Sequence, residues 1–226
     1  WRFVYGADMG HSDPFALQVV AYAPTSPTLY HVYEFTKPKM FARTIAELLL
    51  GPGLDTQDAV EAAHARPRGI FKITGYPDAF DADMSGLGGA VLDELASVYQ
   101  IRAQKAEQKQ KFDAIEITNG DFVDGRIKIL KGSELEKQLM HLQWVADEYG
   151  RLKEKRGDRN DASDAFVYAR RRAMHLFQES LPEAKPRRGS LAARELEAKA
   201  EEDRAAKAPD EFENYLGDDS FDRFFD

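Results

Sequence analysis

Three stretches near the start of the chain are rich in β-branched and aromatic side chains and read as strands: residues 2–7, 15–23 and, with polar residues alternating, Leu29–Phe35. The segment Asp8-Met9-Gly10-His11-Ser12-Asp13-Pro14 joins the first two, and Pro24 and Pro27 mark the turn before the third. Connections this short predict an antiparallel meander. Ile45, Leu48 and Leu49 then recur at helical spacing, predicting a helix over 42–50 that Gly51-Pro52-Gly53 stops. Residues 54–66 fit a second helix or a loop. Ile70–Thr74 reads as a short strand. Leu87, Val91, Leu92, Leu95 and Val98 share one face of a helix over 84–99.

Further on, Gln100–Ala103 reads as a strand and residues 109–119 as a helix. Asp124-Gly125 is a hairpin signal, followed by alternating Ile127 and Ile129. Ser133 and Glu136 have the spacing of a capping box that opens a helix to about Tyr149. Arg151–Arg159 is a charged loop, and a last helix covers Asp161–Phe177. Meander strands succeeded by alternating helices and strands predict an α/β domain, a mixed β-sheet flanked by helices, over residues 1–180. From there the composition changes: residues 190–207 are mostly Ala, Glu, Lys and Arg, and 210–226 are acidic with interleaved Phe and Tyr. Residues 181–226 are therefore expected to form a charged tail, flexible or docked on a partner.

Hydrophobic residues are 43% of the 226, enough for a substantial core. No apolar run approaches the ~20 residues of a membrane span. The chain opens on Trp1-Arg2-Phe3-Val4-Tyr5, already strand-like, which suggests an excised or processed product. Cysteine is absent, which excludes disulfides, thiol nucleophiles and cysteine-ligated zinc, and the five histidines lack zinc-site spacing. No G-x-x-x-x-G-K-[ST] run occurs, and Gly86, Gly88 and Gly89 read as packing at a helix start rather than as a phosphate loop. The net charge of -8 disfavours phosphate binding, but residues 210–226 alone carry -6 of it. Acids gathered to hold cations would not oppose DNA once those cations are bound.

The chemistry is therefore sought in carboxylates. Asp8 ends an apolar strand, where an unpaired charge is costly and a cation would satisfy it, although Asp8 with Gly10 also fits a turn. Asp13 precedes Pro14 and reads as a turn residue that supports a metal shell at most. Asp161 and Asp164 lie three apart at the opening of the last helix, with small Ala162, Ser163 and Ala165 allowing close packing on the sheet. Asp161 also suits the helix dipole; Asp164 shares an apolar face with Val167 and Tyr168. Three acids compete for a central role after Ile70–Thr74: Asp78, nearest that predicted strand and the first choice; Asp81; and Asp83, read as the N-cap of the next helix. Lys105, Lys109 and Lys111, with Arg156 and Arg159, are candidate phosphate contacts, or else solvated surface.

Three segments together resemble the nuclease domain of tailed-phage terminase large subunits, part of the viral DNA-packaging motor. They are Tyr5-Gly6-Ala7-Asp8-Met9-Gly10 with its continuation to Leu17; Ala106–Glu116 with Asn119-Gly120-Asp121 and Gly125–Ile129 after it; and Asn160-Asp161-Ala162-Ser163-Asp164-Ala165-Phe166-Val167-Tyr168-Ala169. The match covers about residues 3–177. The resemblance implies an RNase H-like fold. It also implies a metal-dependent endodeoxyribonuclease that cuts double-stranded concatemeric DNA, with two Mg²⁺ or Mn²⁺ ions on Asp8, Asp164 and an acid between them in sequence. Asp8, Asp78 and Asp164 are the expected catalytic and metal residues, with Asp81, Asp161 and Asp13 as further candidates. Many relatives carry an Asp straight after the strand assigned to 70–74, where this chain has Gly75-Tyr76-Pro77. Expected partners are DNA, an ATPase domain preceding Trp1, the small terminase subunit and the portal, with cutting at the procapsid portal in the host-cell cytoplasm. The competing readings are a non-catalytic DNA-gripping or portal-docking module and another RNase H-like nuclease such as a junction resolvase.

Overall fold

Strand β1 (Arg2–Met9) runs antiparallel to β2 (Phe15–Ala23), with Val4 opposite Val20 and Asp8 opposite Ala16. β3 (Ser26–Lys37) completes the predicted meander, irregular between Val19 and Val20 and again between Ala21 and Ala23. The computed structural model describes residues 1–10, 14–86, 88–146, 152–155, 159–180 and 198. β4 (Ala79–Ala82) lies parallel to β1 on its free side, β5 (Gln104–Lys105) lies beyond it, and β6 (Ile127–Lys128) runs parallel to β3. The strand order is β5-β4-β1-β2-β3-β6, a mixed six-stranded sheet. The central strands are buried on both faces, which explains why β2 reads as an almost unbroken apolar run.

One face packs against α1 (Ala42–Leu50), α2 (Gln57–Ala65), the helical turn α3 (Phe71–Thr74) and α4 (Gly88–Ser97), through Tyr5, Phe15, Ile45, Leu49, Phe71, Phe80 and Leu95. The other face packs against α6 (Glu134–His141) and α7 (Asp161–Ser180), through Val4, Val20, Tyr22, Leu135, Phe166 and Ala169, with α5 (Lys111–Val123) beside α7. Contact between α7 and β1 is unusually close. A Cβ on Gly6 would collide with the Ala165 carbonyl and come within 2.7 Å of the Ala169 nitrogen. Small residues on both elements therefore bring the helix backbone down onto the strand.

Several elements differ from the sequence reading. Ile70–Thr74 forms no strand: Ile70 has helical angles, and the Lys72 and Ile73 N–H groups bond back to the Gly69 and Ile70 carbonyls. Five apolar-rich residues do not separate a buried strand from a helical turn. The strand comes later, at Ala79–Ala82, and contains Asp81. Gln100, with φ +56°, interrupts the strand expected at Gln100–Ala103 and shifts pairing to Gln104–Lys105. Asp124-Gly125 closes α5 instead of turning a hairpin, and the strand after it pairs parallel with β3. Ser133 does cap α6, accepting from the Glu136 N–H at 3.0 Å, but that helix ends at His141. Past its end, β7 (Trp144–Ala146) and β8 (Leu152–Glu154) pair as a separate two-stranded sheet, so β8 occupies part of the expected charged loop.

The chain divides into two compact units, Trp1–Leu181 and Pro182–Asp226. Of the second, 198 alone is described, and it is helical. The expected acidic-aromatic tail at 210–226 lies outside the described residues.

Candidate metal centre

Three carboxylates converge where β1 and β4 end. Asp8 is the penultimate residue of β1, half-buried. Asp83 comes directly after β4, and its N–H extends the β1–β4 ladder by donating to the Ala7 carbonyl at 3.0 Å. Because Ala7 is paired with Ala82 in a parallel ladder, Asp8 and Asp83 leave the sheet side by side. The carboxyl ends of neighbouring parallel strands are where open α/β sheets hold ligands. Asp164 comes from the first turn of α7, brought down by the close approach at Gly6.

The electrostatics record the same convergence. Asp8 is pushed up from the usual 3.8 to about 7, first by burial and then by the charges of Asp164, Asp83 and Asp161, with the Lys111 ammonium opposing. Tyr168 is raised by burial and by Asp164, Asp8 and Asp83. Like charges gathered in a half-buried site are costly without a counter-cation. Lys111 supplies one: its Nζ lies 2.7 Å from Oδ1 and 2.8 Å from Oδ2 of Asp164. The Asn160 amide donates to the same Oδ2 at 3.0 Å. Asp83 accepts from the Ser85 N–H (2.8 Å) and hydroxyl (2.7 Å). An open cleft of about 280 Å³ is lined by Asp83, Glu107, Gln108, Lys111, Asp164, Val167, Tyr168 and Arg171.

Among the described residues, no three acids or histidines are drawn together closely enough to hold an ion as they stand. Asp164 is held by Lys111 and Asn160, and Asp83 by Ser85. The donor set still suits a hard divalent cation: carboxylate oxygens from β1, the end of β4 and α7, with Asp8 pushed toward neutrality first by burial and then by its acidic neighbours.

The other expected residues fall elsewhere. Asp78 is not in the cluster. It lies just before β4, at the opposite end of the strand, its N–H on the Phe3 carbonyl and its carboxylate bound by Arg2 Nε at 2.7 Å and Tyr22 at 3.0 Å. The expectation fails because the strand lies after Asp78 and not before it. Asp81 sits mid-strand beside Gly6, buried, and is gripped by Arg172 Nε at 2.9 and 3.1 Å. Burial raises its carboxyl and Arg172 opposes the rise. Asp161 is buried near Asp8 and accepts from Arg159 at 3.2 and 3.3 Å, so Arg159 neutralises an acid. Lys105 is exposed on β5, and Lys109 is exposed with its carbonyl accepting from Arg171 at 2.8 Å. Asp13 and Arg156 lie outside the described residues. Asp83, read as an N-cap, is the residue that sequence reasoning misses. Its signal is weak: the short run Ala79-Phe80-Asp81-Ala82 comes directly before it.

The fold and the site define an RNase H-like α/β domain with a carboxylate cleft at the end of its central parallel pair. No family model matches the chain, and no curated protein matches it. Solved structures do match. The nuclease domain of the large terminase g2p of bacteriophage SPP1, solved with bound manganese, is 18% identical, with a TM-score of 0.52 over 77% of this chain and 88% of that one. The P22 large terminase nuclease domain is 15% identical, with a TM-score of 0.51 over 78% of this chain and 86% of that one. The large terminase nuclease of thermophilic phage G20c, solved with bound magnesium, is 16% identical, with a TM-score of 0.50 over 74% and 79%. The fold of this chain is that of large-terminase nuclease domains.

Proposed function

We propose that this chain is the nuclease domain of a viral DNA-packaging terminase, cutting double-stranded concatemeric DNA with two divalent ions, Mg²⁺ or Mn²⁺. One observation carries the reading: Asp8, Asp83 and Asp164, from three separate elements, crowd one another at the end of β1 enough to help lift Asp8 to about 7. The solved nucleases of the same fold that hold manganese or magnesium support it. Asp8, Asp83 and Asp164 would hold the ions. Bound there, the cations would supply Lewis-acid activation of a water and charge neutralisation at the scissile phosphate.

The remaining work falls to the chain's own side chains. Asp161 stays committed to Arg159 and steadies the first turn of α7. Asn160 fixes the rotamer of Asp164. Lys111, at the rim of the cleft beside Asp164, would bind a phosphate oxygen of the strand being cut. Cutting would take place at the procapsid portal in the host-cell cytoplasm, in company with a terminase ATPase domain, the small subunit and the portal. Gly75-Tyr76-Pro77 after residues 70–74 speaks for a non-catalytic gripping module; Asp83, directly after β4, supports the catalytic reading instead. The test is nicking of supercoiled plasmid in Mn²⁺ and in EDTA. Metal-dependent cutting that Asp83→Asn abolishes supports the reading, and a chain that cuts nothing in Mn²⁺ overturns it.

A further inference from the structure

Beside the carboxylate cleft lies a second cavity of about 130 Å³, between α5, α7 and the segment leading into β7. Its walls include Ile115, Leu139, Leu142, Trp144 and Val167. Asp164 and Val167 line both cavities, so the slot and the cleft are separated by a single turn of α7. Phe112 packs edge-on against Trp144, with ring centroids 5.3 Å apart, and braces the indole. Thr118 spends its hydroxyl on the Ala114 carbonyl at 2.6 Å, which keeps that wall apolar. The amides of Asn119 and Gln143 supply both donors and acceptors at the edge.

We infer that this slot takes a single unstacked nucleobase of the strand whose phosphate lies on the acid cluster. The inference rests on the nuclease reading and extends it to the handling of the substrate. An apolar protein cavity of about 150 Å³ accommodates a benzene ring; this slot, at about 130 Å³ and open on one side, takes one planar ring in part and is too small for a base pair. Every base has an apolar face for an indole and a polar edge for amides, so such a slot is tolerant of sequence. A phosphate at the acid cluster would lie beside the slot, because Asp164 and Val167 line both cavities. Taking a base out of the stack costs least where it is already unpaired. The slot therefore favours cuts at a fixed distance from a mismatch.

The experiment maps cuts in Mn²⁺ on short duplexes carrying one mismatch or, at the same position, one abasic site. The expected result is enrichment of about fivefold or more at one fixed offset from the mismatch and none from the abasic site. Trp144→Ala and the slot-filling Ile115→Phe should each erase the enrichment while plasmid nicking continues; Trp144→Phe should keep it. Ile115→Phe keeps an apolar side chain at that wall and fills the slot, so it decides the matter if Trp144→Ala does not fold. Equal enrichment at both lesions, or enrichment that survives Ile115→Phe, overturns the inference and leaves the slot to a protein side chain. A chain that cuts but ignores the mismatch overturns this inference alone; one that cuts nothing in Mn²⁺ overturns the nuclease reading with it.

Discussion

The Lys111 ammonium lies within hydrogen-bonding distance of both oxygens of Asp164, at 2.7 and 2.8 Å. The two come from different elements, α5 and α7, and among the described residues Lys111 is the charge that acts to lower the Asp8 carboxyl. A lysine in this place competes with a divalent cation for the same carboxylate. Lys111→Met should therefore tighten Mn²⁺ binding by about fivefold at pH 8, the value of a partly exposed charge pair worth about 1 kcal/mol. It should also slow cutting, because the phosphate contact goes with it. Titration calorimetry reads the first effect and plasmid nicking the second. Unchanged affinity would show that Lys111 does not compete with the ion.

The three converging acids should be separable from their neighbours by substitution. Asp8→Asn, Asp83→Asn and Asp164→Asn should each lower cutting more than about a hundredfold, since even an outer partner of a metal ligand is worth about 10- to 100-fold. Asp78→Asn should cut normally. It loses its ion pair with Arg2 at the far end of β4, and should cost no more than about 1 kcal/mol in a denaturant melt. If Asp78→Asn is inactive and Asp83→Asn active, the site has been placed at the wrong end of the strand.

The contrast between Asp83 and Asp78 shows what the sequence carries. The meander, α1 and the start of α7 are legible because long periodic runs and turn residues mark them. So are Asp8 and Asp164, each set at the end of such an element. The middle acid is not, because its strand is four residues long and preceded by an apolar stretch of similar length that folds as a helical turn. A local pattern does not tell which of two short apolar runs will find a place beside β1. The β1–β4 register decides it, and that register is a long-range property. For the same reason, the slot beside Trp144 has no sequence signal, since its walls come from α5, α6, α7 and β7.

The raised Asp8 carboxyl has a definite consequence for pH. In the folded chain it binds its proton more tightly than in the unfolded chain, so between about 4 and about 7 the metal-free protein should lose stability as pH rises. Above about 7 this contribution is flat. Asp8→Asn should make the decline shallower, leaving the part due to the raised Asp81 carboxyl, and be the more stable protein at pH 8 without metal. Mn²⁺ binding should run the other way. The ion must displace the proton, so affinity should climb by up to about tenfold per pH unit below about 7 and level off above it. Thermal melts across pH, with Mn²⁺ and with EDTA, measure both. A metal-free stability that is level from pH 4 to 7 in wild type and variant alike would show that Asp8 titrates normally.

Gly6 offers a test of how the site is held together that leaves every carboxylate in place. A methyl group there would meet the Ala165 carbonyl and the Ala169 nitrogen, which are backbone atoms and cannot rotate away. Gly6→Ala must therefore push α7 off β1. Overpacking of this kind costs about 1–3 kcal/mol, and the displaced helix carries Asp164 away from Asp8. A misplacement of about 1 Å is enough to cost about a hundredfold in rate. The variant should thus fold with a lowered melting temperature, bind Mn²⁺ weakly and cut poorly. Gly89→Ala, where the nearest atom to the added Cβ is the Met84 carbonyl at 3.5 Å, should leave all three properties intact. A Gly6→Ala protein that melts and cuts like wild type would mean that the helix and strand are not in the contact that brings Asp164 to Asp8.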